Sequence, residues 1–574
     1  MNVGKAWPVS HPKLGEFGDT SKRRILLLAL CSRYSYIRGT AMKLRFLPIL
    51  LMLFLLIGPL SSQLRYDYTK RYDTLGVGAV RMVYDQTGSL YYRGTAQWNR
   101  VPGSDRTIVF DHGLYLVGTI GGEVHGKLNH WDSPYVPGPI VNGAPVYRGA
   151  DSLRFRPYVL TNRFPPAANR DYAAWPADLG APVDSLGRPR VFGDETVWMV
   201  YNASAVSRID RALHLDTTKS VFPVEIRHSA YGFRNSPQYF LSFLSDVVLL
   251  EWELINKGTE VIDSLYIGFW TDIDFNNADN NLPGVDTTLQ LGYCWTADSV
   301  YTDRVHPMAV GYTLLFGPQV PDGSGTADVQ EAELPGMRNL PVTSFLAIDD
   351  DSYADSSDRG PPKSLGTAWN VAGGLRQRGG PVIDPTTGLP TRFPYAGDPV
   401  TRTGWIHAPN TTSGGAGFIL FTGPVTMRPG DGQWLMVALI PALSVDNKAA
   451  VTQLRYKARL LQELSVRELR GSGFDWTGAS QQPEPVPVYH DLRSCYPNPF
   501  NPVTRIPYDI ALESDVRLEI YNTLGQKVRS LVDARMPAGS YTAVFDAAGL
   551  PSGVYHAVLK VNYLVFHTRM VLLK

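Results

Sequence analysis

Polar and apolar residues alternate, or apolar residues run in short blocks, over most of residues 63–478, which is typical of strands. The segment DVVLLEWELINKGTEVIDSLYIGFWTDIDF, which begins at Asp246, predicts two long strands joined as a hairpin at NKGTE. The segment GAGFILFTGPVTMRPGDGQWLMVALIPAL, which begins at Gly415, predicts another pair of strands. The pattern therefore predicts an all-β region.

One segment has the period of a helix instead. Between Asn447 and Leu469 the apolar residues recur at helical spacing. These residues are Val451, Leu454, Leu460, Leu461 and Leu464. We expect a single helix here.

The strand-rich region, residues 63–478, is expected to form one large β-sandwich or two packed sandwiches. The segment NRFPPAANRDYAAWPADLGAPVDSLGRPR lacks periodicity, which suggests a boundary near residue 160. A long surface loop of a single domain is the alternative. We call residues 63–478 the cargo region, for a reason given below.

The last part of the chain has a different organisation. Residues 479–495 form a Pro-rich linker, and the motif YPNPFNP follows at Tyr496. Because proline fixes φ and lacks an amide hydrogen, this motif is expected to be an extended lead-in outside any sheet. Residues 496–574 then show short alternating strands separated by polar turns, which predicts a small antiparallel sandwich.

This C-terminal segment closely resembles the C-terminal sorting domain of the type IX secretion system. The resemblance rests on YPNPFNPVTRIPYDI, VRLEIYNTLGQKVRSLV, GLPSGVYHAVL and the basic end RMVLLK. It implies an immunoglobulin-like β-sandwich that addresses the cargo region to the outer surface of a two-membrane bacterium. It also implies contact with the secretion machinery through residues 496–574, removal of the domain within the linker, and attachment to surface lipopolysaccharide. A similar module in the flagellar hook-capping protein is the alternative.

The cargo region itself resembles secreted proteins that carry the same sorting domain. The motifs are FDHGLYLVGTIGGEVHG, YVPGPI, WPADLGAPVDSLGRPRVFGDETVWMVYN, FWTDIDF with GVDTT, and FPYAGDPVTRTGW. This resemblance supports the extent of the region and implies nothing about catalysis.

Residues 1–62 are expected to be an N-terminal extension and signal peptide. MKLRFLPILLMLFLLIGPLSSQ, from Met42, has a basic start, an apolar core and a small-residue exit near Ser62. Since signal peptides lie at the true N-terminus, we expect translation to start at Met42. The apolar run is shorter than the ~20 residues of a membrane span. We therefore expect no transmembrane anchor in the mature chain.

Charge and cysteine content exclude several classes of function. The chain has 54 basic and 53 acidic residues, so its charge gives no reason to expect a nucleic-acid partner. Its three cysteines, Cys31, Cys294 and Cys495, are too far apart for a typical zinc motif. We expect Cys294 and Cys495 to be unpaired, because they fall in different predicted domains.

Acidic segments give one candidate metal site. TDIDFNNADNNLPGVDTT follows a predicted strand and holds many oxygen ligands of the kind that Ca²⁺ prefers. The candidate ligands are Asp272, Asp274, Asn276, Asp279, Asn281 and Asp286. The spacing differs from an EF-hand, and a solvated Asp/Asn turn is the alternative.

Two other polar clusters are not expected to bind metal ions. The acidic run from Ile348 to Gly360 is typical of an exposed loop rather than a second ion site. His125 and His130 are five residues apart, so they would face opposite sides of a strand and would not share a metal.

Catalytic motifs such as HExxH, GxSxG and the P-loop are absent from the sequence. Glycoside hydrolysis needs two carboxylates close in space, for which Glu195, Glu251 and Glu253 are candidates, with surface carboxylates as the alternative. Tryptophans near predicted strands are expected to be core residues, with a sugar-stacking platform as the alternative. These are Trp198, Trp270, Trp295, Trp405 and Trp434.

We therefore expect a secreted, non-enzymatic surface protein with a structural, adhesive or glycan-binding role. The alternative is a secreted hydrolase that acts on polysaccharides.

Overall fold

The structure is a computed structural model and describes residues 70–90, 96–101, 106–129, 132–148, 150–235, 241–276, 280–297, 306–348, 360–408, 416–471, 490–492, 495, 498–510, 514–537, 539–561 and 564–573. The predicted signal peptide and most of the predicted linker lie outside these residues.

Strands dominate the cargo region. They are β1 (Tyr72–Leu75), β2 (Val80–Asp85), β3 (Ala96–Trp98), β4 (Thr107–Ile120), β5 (Glu123–Lys127), β6 (Val136–Pro137), β7 (Ile140–Val141), β8 (Ala144–Pro145), β9 (Tyr158–Thr161), β10 (Glu195–Asn202), β11 (Val224–Gly232), β12 (Val248–Asn256), β13 (Ile262–Ile273), β14 (Asn281–Asp286), β15 (Leu291–Thr296), β16 (Met308–Phe316), β17 (Gln319–Val329), β18 (Ala332–Asn339), β19 (Val342–Ile348), β20 (Val382–Ile383), β21 (Pro390–Thr391), β22 (Ala416–Met427) and β23 (Gly432–Leu443). The helices are α1 (Arg208–Ala212), α2 (Leu365–Ala372), α3 (Asn447–Gln462) and α4 (Val466–Arg470).

Two large antiparallel sheets form the body of this region. The first sheet has the order β1-β2-β3-β4-β13-β22-β19, with β5 against β4. The second sheet has the order β14-β15-β16-β23-β12-β11-β10-β6, with β9 against β10. Apolar side chains from both sheets meet in one buried core, so the region is a β-sandwich. Examples are Leu116, Ile267 and Leu420 from the first sheet and Ile226, Leu250 and Val437 from the second.

The predicted hairpin at NKGTE is wrong, although both strands exist. β12 pairs with β11 and β23 in the second sheet, whereas β13 pairs with β4 and β22 in the first. The connection from β22 to β23 crosses between the sheets in the same way. Asn256 joins the two crossings, because its Nδ2 donates to the carbonyls of Glu260 and Met427, both at 2.9 Å. A strand–turn–strand pattern is common to hairpins and such crossings, so the pattern alone does not distinguish them.

Strands on both sides of residue 160 share these sheets. β4 precedes that position and pairs with β13, and β9 spans it and pairs with β10. Residue 160 therefore does not divide the sandwich. The aperiodic segment after β9 lies against the outer face of β10, where Trp175 contacts Trp198 at a ring distance of 6.2 Å.

Helices cover the outer faces of the two sheets. α2 packs on the first sheet through Leu365, Ala368 and Val371, and α3 packs on the second sheet mainly around β15, β16 and β23. The single helix predicted from Asn447 to Leu469 is interrupted. Ser465 accepts a hydrogen bond from the backbone N–H of Glu468 and forms a capping box with it, so α4 begins as a separate helix.

The C-terminal segment is a separate small sandwich with its own core. Its strands are β24 (Asp491–Leu492), β25 (Val503–Ile510), β26 (Ser514–Asn522), β27 (Lys527–Met536), β28 (Gly539–Asp546), β29 (Gly553–Val561) and β30 (Leu564–Leu572). They form the antiparallel sheets β24-β25-β28 and β27-β26-β29-β30. The predicted small sandwich is confirmed.

The YPNPFNP motif is tied to the end of the chain. Asn498 Oδ1 accepts the backbone N–H of Val571 at 2.9 Å, and the Phe500 N–H donates to the Val571 carbonyl at 2.9 Å. The ring of Phe500 enters the core beside Phe545. The described part of the motif, from Asn498, thus precedes the first long strand of the sandwich, as expected, but Phe500 also makes a parallel bridge to Leu572.

Two histidines are fully buried between the large sheets. His112 Nδ1 lies 2.9 Å from the hydroxyl of Tyr312. His228 stacks on Trp252 at 4.7 Å, and neither of its ring nitrogens has a hydrogen-bond partner among the described residues. Burial lowers the pKa of His112 to about 3 and lowers the pKa of His228 well below its ordinary value. Both rings are therefore neutral in the folded protein.

The His228→Leu variant should show a weaker loss of stability in acid. Below pH ~6.5 the unfolded chain protonates His228 while the folded chain does not, so the wild type loses up to about 1.4 kcal/mol per pH unit relative to the variant. Urea denaturation between pH 7.5 and 5.0 measures the difference. The exposed His214, replaced by Asn, is the control and should leave the slope unchanged. Equal slopes for wild type and His228→Leu would contradict the account.

Candidate functional site

A polar cleft lies on the outer face of the second sheet, where strand register brings distant residues together. Arg227 on β11 is opposite Glu253 on β12, and Glu253 is opposite Trp434 on β23. Ser229 is opposite both Trp198 on β10 and Glu251 on β12. Because side chains alternate along strands, these residues share one face.

Loops and a hairpin complete the walls of the cleft, which has a volume of about 220 Å³. The remaining lining residues are Gly180, Pro182, Val183, Arg190, Phe192, Gln330 and Arg470. Gly180 adopts a φ of +94°, and a Cβ there would approach Arg227 Cζ to 2.4 Å. A glycine is therefore needed where this wall meets the Arg227 guanidinium.

Glu251 forms the buried floor of the cleft together with Arg470; their side chains are each only 5% exposed. Arg470 donates from Nε to Oε1 at 2.8 Å and from Nη2 to Oε2 at 2.5 Å. Tyr231 donates its hydroxyl to Oε1 at 2.7 Å, and Trp434 donates Nε1 to Oε2 at 3.0 Å. Burial by itself would lower the pKa of Arg470, but the Glu251 carboxylate outweighs burial and raises that pKa above its usual range. Four hydrogen bonds thus hold the Glu251 side chain in place.

The rim of the cleft carries more exposed ion pairs. Arg227 Nη1 lies 3.1 Å from Glu253 Oε2, and Arg227 Nη2 lies 3.3 Å from Glu225 Oε1. Arg190 contacts Glu331, and Arg470 Nη1 lies 3.6 Å from the same Glu331 oxygen. Charged groups of both signs are therefore paired with one another around the rim of the cleft.

The structure brings four of the predicted candidates together in this cleft: Glu251, Glu253, Trp198 and Trp434. Glu195 lies elsewhere, where its Oε1 accepts the backbone N–H of Gly76 at 2.6 Å. Burial raises the pKa of Glu195, partly opposed by that hydrogen bond. It is not a cleft residue.

The tryptophans are mainly core residues, as expected. Trp198, Trp270, Trp295 and Trp434 are all buried, and Trp405 is half-buried beside Tyr395. The four buried tryptophans therefore do not form an exposed platform for stacking on sugars. Trp198 and Trp434 nevertheless line the cleft.

No local pattern in the sequence singles out the three arginines of the cleft. Arg190, Arg227 and Arg470 span 280 residues of chain and belong to a loop, a strand and a helix end. The arginines come together only in the folded structure, through the register of β11 with β12 and the packing of α4 against the second sheet. The sequence points to this cleft only through its candidate residues Glu251, Glu253, Trp198 and Trp434.

Several of the predicted calcium ligands have other partners. The Asn276 side chain bonds the backbone of His306 at 2.8 and 3.2 Å, and the Asn281 side chain bonds the backbone of Phe275 at 3.2 Å. Asp286 pairs with Arg455 at 3.0 Å. Asp279 lies outside the described residues, and Asp272 and Asp274 lie at the end of β13.

No group of three or more His, Cys, Asp or Glu side chains suited to a metal occurs within the part of the chain that the structure describes. Calcium binding by this segment, with Asp272, Asp274, Asn276, Asp279, Asn281 and Asp286 as the candidate ligands, stays a prediction. His130 and residues 349–359 also lie outside the described residues. Cys294 and Cys495 are free and buried, as expected.

Comparison with known protein families identifies where the protein is exported. Residues 494–572 match the family model described as the secretion system C-terminal sorting domain. The chain carries a type IX secretion sorting domain. The protein is therefore exported to the cell surface or the extracellular space, and the term cargo region is justified for the preceding residues.

No curated protein matches the chain significantly. Among solved structures, a polysaccharide lyase matches with a TM-score of 0.23 and 8% identity, over 88% of this chain and 46% of that one. PorZ, a surface component of the type IX secretion system of Porphyromonas gingivalis, matches with a TM-score of 0.11 and 12% identity, over 89% of this chain and 59% of that one. The chain thus spans about half the length of these structures, and neither likeness supports an argument about activity.

None of the helices in the described ranges has the length and apolar composition needed to cross a membrane.

The Glu251→Ala variant should lose about 3–5 kcal/mol of unfolding free energy, because Arg470 would remain buried without its partner. Glu253→Ala is the matched control on the same strand face; its carboxylate is 32% exposed, and exposed pairs contribute about 0–1 kcal/mol. Urea denaturation of both variants measures the contrast. Similar losses for the two variants would show that the Glu251–Arg470 pair is not the buried anchor of the site.

The calcium prediction has a separate test. EDTA should lower the melting temperature of the calcium-loaded protein, and Asp274→Ala should abolish the difference. Asp263→Ala is the control, since Asp263 is exposed at the other end of β13 and is not among the candidate ligands; this variant should keep the full response to EDTA. Identical melting curves with and without EDTA would remove calcium from the account.

Proposed function

We propose that the cargo region is a non-enzymatic saccharide-binding protein of the cell surface or medium, and that the cleft on the second sheet holds the ligand. The observation that carries the proposal is the combination of polar and aromatic side chains in one small cavity. Arg227, Ser229, Glu253 and Gln330 supply donors and acceptors for hydroxyl groups. Phe192 and Trp434 add apolar lining at the bottom of the cavity.

The size of the cleft favours a single sugar unit. Clefts for drug-sized ligands measure about 300–1,000 Å³, whereas this one measures about 220 Å³. A monosaccharide or the end of a chain therefore matches the cavity better than the middle of a polymer.

The saturation of Glu251 weighs against the alternative of a polysaccharide hydrolase at this site. Such an enzyme would need two carboxylates that act on the same glycosidic bond. The Glu251 oxygens already accept hydrogen bonds from Arg470, Tyr231 and Trp434. The rim carboxylates Glu253 and Glu331 are also paired, with Arg227 and with Arg190.

Surface lipopolysaccharide and other surface glycans are the natural sources of such a ligand for an exported protein. Binding there would give the protein an adhesive or structural role without chemistry.

Isothermal titration of the exported protein with a panel of neutral and acidic sugars tests the proposal. We expect Glu253→Ala to weaken binding of the best sugar by about tenfold or more, the value of a hydrogen bond to a charged group. Glu123→Ala is the control, because Glu123 is exposed on β5 of the other sheet and pairs with Lys219. Absence of binding to every sugar, or equal losses in both variants, would contradict the proposal.

A further inference from the structure

The tip of the β17–β18 hairpin places a carboxylate against two arginines that line the cleft. Val329 pairs with Ala332, so Gln330 and Glu331 form the turn, and Gln330 adopts a φ of 56°. Glu331 Oε1 contacts Arg190 Nη2 and lies 3.6 Å from Arg470 Nη1. One carboxylate oxygen of the hairpin tip is therefore shared by two guanidinium groups.

Both guanidinium groups are held in place by contacts other than Glu331. Arg470 Cζ lies 4.4 Å and Arg190 Cζ lies 5.2 Å from the centre of the Phe192 ring. The Nε and Nη2 groups of Arg470 are used by Glu251, which leaves Nη1 directed towards the hairpin. The two positive groups thus form a receptor for a carboxylate whether or not Glu331 occupies it.

The hairpin is fixed at its base and exposed along its arms. Gln319 Nε2 donates to the Trp434 carbonyl at 2.6 Å, and Asn339 Nδ2 donates to the Gly317 carbonyl at 2.8 Å. Most residues between these two anchors are exposed or half-buried. The tip can therefore leave the cleft without unfolding the sheet, since partly exposed ion pairs contribute little stability.

We infer that the cleft recognises a sugar that carries a carboxylate, a uronic acid, and that the ligand carboxylate replaces that of Glu331 on Arg190 and Arg470. The inference rests on the proposed saccharide-binding function and names its ligand class. In the absence of ligand, Glu331 occupies the carboxylate position on Arg190 and Arg470, and it therefore competes with the sugar for this position. The sugar hydroxyls face Glu253, Ser229 and Gln330, which line the same cavity.

Titration of the exported protein with galacturonate, its methyl ester and galactose tests the ligand class. The three sugars have nearly the same shape, but only galacturonate carries a negative charge. We expect galacturonate to bind at least about tenfold more tightly than the ester or galactose, as for one charge-assisted contact. We also expect its affinity to fall as salt is raised.

Replacement of the competitor tests the mechanism. Glu331→Gln should raise the affinity for galacturonate by about fivefold, the upper value of a surface ion pair, and leave galactose binding unchanged. Glu333→Gln is the matched control, because Glu333 lies on the same hairpin but opposite Asp328, whereas Glu331 contacts Arg190. Equal effects of the two variants would overturn the role of Glu331.

The outcomes separate this inference from the proposed function. Equal binding of galacturonate and its methyl ester overturns the uronate inference and leaves saccharide binding intact. Absence of binding to all three sugars and to the wider panel overturns both. Binding of N-acetyl-glutamate amide as tight as that of galacturonate would show a receptor for acidic peptides and overturn the sugar assignment.

Discussion

The buried ion pair between Glu251 and Arg470 is the constraint on which the cleft depends. It fixes the end of α4 against the centre of the second sheet, and the Arg470 carbonyl also accepts the N–H of Gly193 from a cleft wall. Loss of either partner would leave an uncompensated charge with 5% exposure. Because Tyr231 and Trp434 complete the hydrogen bonding of Glu251, the carboxylate is part of the framework rather than a reactive group.

The sequence predicts the positions of the strands better than it predicts which strands pair with each other. Strand positions and the C-terminal sandwich follow from alternation, but the β12–β13 hairpin does not form, because the strand–turn–strand pattern is the same for a hairpin and for a crossing between sheets. The side chain of Asn256, which joins the two crossings, acts through backbone carbonyls far along the chain. The break in the predicted helix is different, since the Ser465–Glu468 capping box was readable from the sequence.

Only some residues of the candidate site can be predicted from the sequence. Glu251, Glu253, Trp198 and Trp434 were identified as residue types suited to sugar chemistry, and register alone explains why they share a face. The arginines could not be identified, because nothing local distinguishes them from other surface cations. In the predicted calcium segment the sequence shows the oxygen-bearing residues but not their partners: the side-chain amides of Asn276 and Asn281 bond the backbones of His306 and Phe275.

The C-terminal domain directs this sandwich to the cell surface or the extracellular space, and the proposed ligand site is the small, charged cleft on its second sheet. A crystal structure of the exported protein with galacturonate is the most direct test. The account predicts the sugar carboxylate against Arg190 and Arg470, with Glu331 displaced and the Glu251–Arg470 pair unchanged. A cleft still closed by Glu331, with the sugar absent or bound elsewhere, would contradict it.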